Sequence, residues 1–195
     1  MKKLLFKTST AIASILFMGI FSGCASKEAP LPTPDFVNID QFMGRWYVHG
    51  YTPLTIDKQA HNAIEHYRLD SDGKIRTTYQ FRDGSFEGEL KSYTPVGWVH
   101  DETTNAEWRM QFIWPFRSDY IILYLDADYS ETIIAHPNRK YAWIMLREPE
   151  VSAETYARLL RQLKAVGYDL DMIQRLPQDW SEEEVRLTQL ESEGL

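Results

Sequence analysis

The chain of 195 residues carries one cysteine, Cys24, so no disulfide can form within it and its stability must come from a packed core. Basic residues are also in short supply. Lys and Arg number 21 against 28 Asp and Glu, the formal net charge is -7 and the isoelectric point lies near 5.3. Lys and Arg are scattered singly, which argues against nucleic acid as a partner, because phosphate recognition needs a basic face. The apolar stretch from Thr8 to Phe21 is too short to span a bilayer as a mature helix. Catalytic signatures are missing too. There is no H-E-x-x-H, no C-x-x-C and no phosphate-cradling glycine loop, and Gly84-Ser85-Phe86-Glu87-Gly88 has the wrong spacing for a nucleophile elbow. The histidines, His49, His61, His66, His100 and His136, fall on separate strands or their ends, so no cofactor or metal is expected.

What is present begins with Lys2, Lys3 and Lys7, followed by an apolar stretch from Thr8 to Phe21 and the small pair Ser22-Gly23 before Cys24. This is the layout of a secretory signal. The Ser22-Gly23-Cys24 junction resembles the lipobox of bacterial lipoproteins, although Phe21 stands where leucine is usual. That resemblance implies cleavage of residues 1–23, acylation of Cys24 and, with Ala25 next, an outer-membrane address. Residues 24–38, with Pro30, Pro32 and Pro34, read as an extended tether. One domain is expected over 39–182, followed by a polar tail over 183–195.

Within the domain, short segments alternate apolar and polar residues. Ile75, Thr77, Tyr79 and Phe81 share one face of a strand, and Arg76, Thr78, Gln80 and Arg82 share the other. Similar strands are expected at 44–51, 63–69, 91–100, 106–113, 120–126, 131–136 and 141–147, separated by turns such as Asp70-Ser71-Asp72-Gly73. Eight strands with short connections predict an all-β, antiparallel up-and-down barrel. A helix is predicted over 152–166, with Ser152 as its cap, Tyr156, Leu159, Leu160 and Leu163 as its apolar stripe, and Gly167 as its stop. It should pack outside the barrel.

Three separated motifs, Gly44-Arg45-Trp46-Tyr47, Leu125-Asp126-Ala127-Asp128-Tyr129 and the strand Tyr141 to Arg147 with Glu148-Pro149 after it, resemble the signatures of bacterial lipocalins related to apolipoprotein D. The resemblance runs from about Phe42 to about Trp180. It implies that Gly44, Trp46, Asp128, Tyr129 and Arg147 are structural, with the arginine lying across the tryptophan at the closed end. Together with strand parity it turns Tyr67, Tyr79, Phe81, Trp108, Met110, Phe112, Tyr124, Trp143 and Met145 inward as ligand-contact candidates.

Two features stand apart. Glu65 shares parity with Tyr67 and Leu69, where the family more often has a small or apolar residue, so a carboxylate enters the barrel. It either bonds a neighbouring Tyr or Arg or sits in water at the open end, or else it meets the cationic head of a lipid. Trp114-Pro115-Phe116 places large apolar groups in a loop. They are expected to plug the barrel end or the helix, the alternative being contact with a membrane or with a second copy in a homodimer.

The function implied is binding, storage or transport of a fatty acid or lysophospholipid by a lipid-anchored protein of the outer membrane, facing the periplasm. Two rivals differ from it in kind. One is an enzyme of the same fold with Glu65 as its acid-base group, and the other is an interaction module whose barrel is filled by its own aromatics.

Overall fold

A computed structural model describes residues 29–193. The predicted signal segment and Cys24 lie outside the described residues. Ten strands form one antiparallel sheet: β1 (Gly44–Tyr51), β2 (Ala60–Leu69), β3 (Ile75–Asp83), β4 (Glu89–Tyr93), β5 (Val96–Val99), β6 (Glu107–Ile113), β7 (Phe116–Leu125), β8 (Glu131–Ala135), β9 (Ala142–Leu146) and β10 (Gln174–Arg175). Each of β1 to β9 pairs with a neighbour, and β1 pairs with β9 as well, so the sheet closes. The barrel has eight staves, because β4 and β5 share one. A single strand was expected there. Pro95 breaks it, since proline has no N–H to give to the ladder, although its carbonyl still accepts from Thr77 N at 3.1 Å.

A short helix, α1 (Ile39–Phe42), and the β2–β3, β5–β6 and β7–β8 turns cover one end of the barrel. The β1–β2, β3–β4, β6–β7 and β8–β9 connections surround the other. The predicted helix is present as α2 (Ala153–Ala165), capped by Ser152, whose side chain accepts from Thr155 N, and stopped at Gly167 with φ +94°. Tyr156, Leu159 and Leu163 seat it on Leu123, Ile133, Ile144 and Leu146, outside the barrel wall.

The tail expected at 183–195 is instead a docked helix, α3 (Glu184–Glu193). Leu190 packs with Tyr47 and Ile64 on the outer face of β1 and β2. Beside it Arg186 and Glu183 are almost fully buried, and Arg186 donates to Glu183 Oε1 at 3.2 Å and to Asn62 O at 2.8 Å. A buried ion pair of this kind is retained because each charge has its partner.

The expected tether is also corrected over its described part. Leu31 packs on the α2 cluster, Val37 is fully buried, and Val37 N donates to Thr104 O at 2.7 Å. Apolar residues at these positions bind the segment to the barrel. Among the described residues every core cluster lies between Leu31 and Leu190, so a chain starting at residue 29 carries all of that core.

Candidate functional site

At the closed end Trp46 is fully buried and its indole N–H donates to Phe42 O at 2.9 Å. The Arg147 guanidinium lies 3.8 Å above the centre of that ring. It also donates to the carbonyls of Arg45 at 2.6 Å, of Tyr129 at 3.2 Å and of Gln41, Phe42 and Met43 at 2.9 to 3.0 Å. A planar fork can stack and still reach several carbonyls, whereas an ammonium cannot. Burial pulls its pKa down to about 10, with Arg45 adding to the effect, which leaves it cationic at neutral pH. Gly44 adopts φ +92° beneath it, and a Cβ there would sit 3.4 Å from Arg147 Nη1. The turn after β7 is organised by Asp126, whose carboxylate accepts from the N–H groups of Ser130 and Glu131 at 2.7 and 2.8 Å. Asp128, expected to help hold this turn, is exposed.

From this floor a column of rings rises through the barrel. Phe42 meets Trp46 and Trp108 at centroid distances of 5.1 and 5.2 Å, Trp108 stacks on Tyr120 at 5.6 Å, and Tyr120 stacks on Trp143 at 6.3 Å. These offset and edge contacts are the favoured ones for aromatic rings. Tyr67, Phe81, Met110 and Met145 complete the buried interior, with Tyr79 beside Phe81. The lower barrel is therefore filled. A hollow opens above Tyr120 and Trp143, with a volume of about 190 Å³, and Leu54, Phe112 and Tyr141 are among its walls.

Eight of the ten sequence-nominated ligand residues, Glu65, Tyr67, Tyr79, Phe81, Trp108, Met110, Trp143 and Met145, point into the barrel. Of these only Trp143 touches the hollow. Phe112 stands at its rim, half exposed. Tyr124 does not face inward. The β7–β8 register shifts between Ile122 and Tyr124, and this bulge turns Tyr124 toward α2, where its hydroxyl accepts from Arg158 Nη1 at 3.3 Å. The same parity that wrongly included Tyr124 passes through Tyr120, which lines the hollow and was not nominated.

Glu65 lies under the hollow, nearly buried. Its Oε2 accepts from the hydroxyl of Tyr67 and, at 3.4 Å, from that of Tyr120, and the two hydroxyls bond each other. Desolvation pushes its pKa up to about 8, partly offset by the Tyr120 bond, so the carboxyl is mostly neutral at pH 7. Of the readings offered for this residue, the geometry matches the bond to a neighbouring tyrosine. A second buried carboxyl, Asp57, was missed because it falls in a loop, where strand parity carries no information. Asp57 accepts from Tyr79 Oη at 2.9 Å and from Leu54 N at 2.6 Å, and burial raises its pKa. The interior thus combines an aromatic column with two protonatable acids, each held by tyrosine hydroxyls.

Residues 37–178 match the family model for a lipocalin-like domain. The chain belongs to the lipocalin family. It is 28% identical over 173 residues to temperature-induced lipocalin-1 of Arabidopsis thaliana, covering 82% of this chain and 89% of the relative. Outer membrane lipoprotein Blc of Escherichia coli strain K12 is 26% identical over 173 residues, covering 82% and 90%. Blc of Vibrio cholerae is 26% identical over 169 residues, covering 84% and 95%. Among solved structures, insecticyanin of the tobacco hornworm Manduca sexta superposes with a TM-score of 0.58 at 20% identity, covering 78% of this chain and 85% of its own. H1 crustacyanin of the lobster Homarus americanus superposes with a TM-score of 0.58 at 14% identity, covering 82% and 96%. These structures share the fold. The lipocalin is a bacterial one by its likeness to Blc, and its barrel is built to bind a hydrophobic ligand.

Proposed function

We propose that this lipocalin is anchored in the cell envelope through an acylated Cys24 and takes the acyl tail of one fatty acid or lysophospholipid into its barrel. The observation that carries the reading is the apolar hollow at the mouth, with Trp143, Phe112 and Leu54 around it and Tyr120 as its floor. Support for the location comes from the lipobox-like junction and from the relatives named as outer membrane lipoproteins. The periplasmic orientation belongs to the same proposal. Binding is its mechanism, and the reading needs no chemical step.

Size decides how the ligand is held. Each buried methylene contributes about 0.8 kcal/mol, and association costs roughly 4 to 15 kcal/mol. A net of about -8 kcal/mol, which is micromolar binding, therefore requires about fifteen methylenes against the wall even at the lowest of those costs. Ligand pockets commonly span about 300 to 1,000 Å³, and about 190 Å³ falls short of that. A long tail must turn the stacked Tyr120–Trp143 pair aside, leaving its polar head at the rim. The neutral carboxyl of Glu65 and the hydroxyls of Tyr67 and Tyr120 then meet the tail end or an oxygen on it.

The test is native mass spectrometry of purified residues 29–195, followed by titration with a fluorescent fatty acid. One co-purifying acyl lipid per chain, displaceable at micromolar concentration with a change in Trp143 emission, is expected. A ligand-free protein that takes up neither fatty acids nor lysophospholipids overturns the proposal.

A further inference from the structure

The plug expected of Trp114-Pro115-Phe116 is not formed. Ile113, Trp114 and Phe116 are 73, 82 and 75% exposed, and with half-exposed Phe112 they make the tip of the β6–β7 hairpin. Six of the large apolar side chains left in solvent, these four with Ile56 and Tyr141, stand around the mouth on three different connections. A soluble monomer seldom gathers its exposed apolar groups in one place. The wall beside the hairpin is also incomplete, because β4 pairs with β3 but not with β6, leaving an open seam near Phe112.

Two further observations say what faces this rim. The described chain begins there. Ala29 O accepts from the Arg139 guanidinium in the β8–β9 turn, and Pro30 and Pro32 line one surface hollow with Val166 and Gly167 at the end of α2. From Ala29 the segment runs down the wall to Val37 at the closed end. Cys24 is five residues before Ala29, a span of at most about 17 Å of extended chain. An anchor at Cys24 thus lies within that span of the mouth end. Charge agrees with this placement. In a chain of net charge -7, Arg117, Arg139 and Lys140 flank the mouth on the hairpin side, and the neighbouring Asp119 is paired with Arg109 at 2.9 Å.

We infer that the mouth of the barrel rests on a lipid surface, with the β6–β7 hairpin inserted among the headgroups, so that the ligand passes between the bilayer and the hollow without crossing water. Amphipathic tips of this kind bind through buried apolar area, aided by cations against anionic lipid. The inference rests on the proposed lipid-binding function for its purpose and on an anchored Cys24 for its geometry, while the hairpin's own affinity for lipid depends on neither.

The experiment therefore uses acyl-free residues 29–195 with vesicles of phosphatidylethanolamine and phosphatidylglycerol. Co-sedimentation and a blue shift of tryptophan emission are expected. In the Trp114→Ser, Phe116→Ser double variant vesicle partitioning should fall about tenfold or more, with an unchanged melting temperature and unchanged fatty-acid affinity in vesicle-free solution. Equal partitioning of parent and double variant overturns the inference. A parent that sediments as a dimer and ignores vesicles, with a monomeric double variant, overturns it too and assigns the hairpin to a second copy. Vesicle binding by a protein that takes up no fatty acid would leave this inference standing and remove the proposed function, which keeps the two failures apart.

Discussion

At the closed end Trp46, Phe42 and Arg147 are locked by stacking and by hydrogen bonds to five carbonyls, whereas at the mouth Trp114, Phe116 and Ile113 face solvent on a hairpin tip, outside the lining of the hollow. Both ends are built of large aromatics with arginines nearby. The difference lies in what each ring touches. A ring with a guanidinium on its face and its N–H on a carbonyl has no freedom left and contributes stability, while a ring on a two-residue hairpin tip is held only by its backbone and remains available to something outside the molecule.

The comparison breaks most visibly at Trp46. Trp46→Ala should cost about 3 to 5 kcal/mol, and Arg147→Lys roughly 2 kcal/mol through lost bonds to buried carbonyls. Chemical denaturation measures both, and fatty-acid preference should persist in Arg147→Lys. A lysine variant as stable as the parent would show that the fork is not what closes this end.

Glu65 tests the middle of the barrel. Burial keeps it protonated up to about pH 8, against an ordinary value of 4.5. Between those values the native state binds more protons than the unfolded chain. Its favourable contribution is therefore complete below about pH 4.5, declines as pH rises and is gone above about pH 8. Asp57, raised by burial, acts in the same direction. His49, lowered by burial, opposes both, since its contribution is present above about pH 6.5 and is lost on acidification. Glu65→Gln should therefore gain melting temperature relative to the parent as pH climbs from 5 to 8.5. Parallel melting curves across that range would mean that the carboxyl is not desolvated.

The mouth should respond in binding and not in stability. Phe112→Ala is expected to change stability by less than about 0.5 kcal/mol while weakening fatty-acid binding about fivefold, read by fluorescence titration. The smallest effect belongs to Tyr124→Phe. It removes only the bond from Arg158, so ligand affinity should not move, and any loss there would restore an inward role for this tyrosine.

The closed end was more legible than the mouth. Gly44, Trp46 and Arg147 sit in the motifs that carry the resemblance to lipocalins, and β3 shows its two faces by plain alternation. The mouth is assembled from loops, where parity stops. Asp57 was invisible for that reason, and Tyr124 was misplaced because a bulge after Ile122 adds one residue without any mark in the sequence. The helix α3 was hidden by its polar composition. What secures it is a salt bridge from Arg82 Nε to Glu183 at 2.9 Å and the burial of Leu190, both supplied by distant strands.

The amino-acid order by itself determined the staves and the capped helix, since period-two patterning, a serine cap and a glycine stop act over a few residues. Only the tertiary structure decided which rings fill the barrel, that a neutral carboxyl lies beneath the hollow, and that the apolar hairpin and Ala29 stand at one end. Those outcomes depend on strand register and closure, which bring together groups as far apart in sequence as Tyr47 and Leu146 or Ala29 and Arg139.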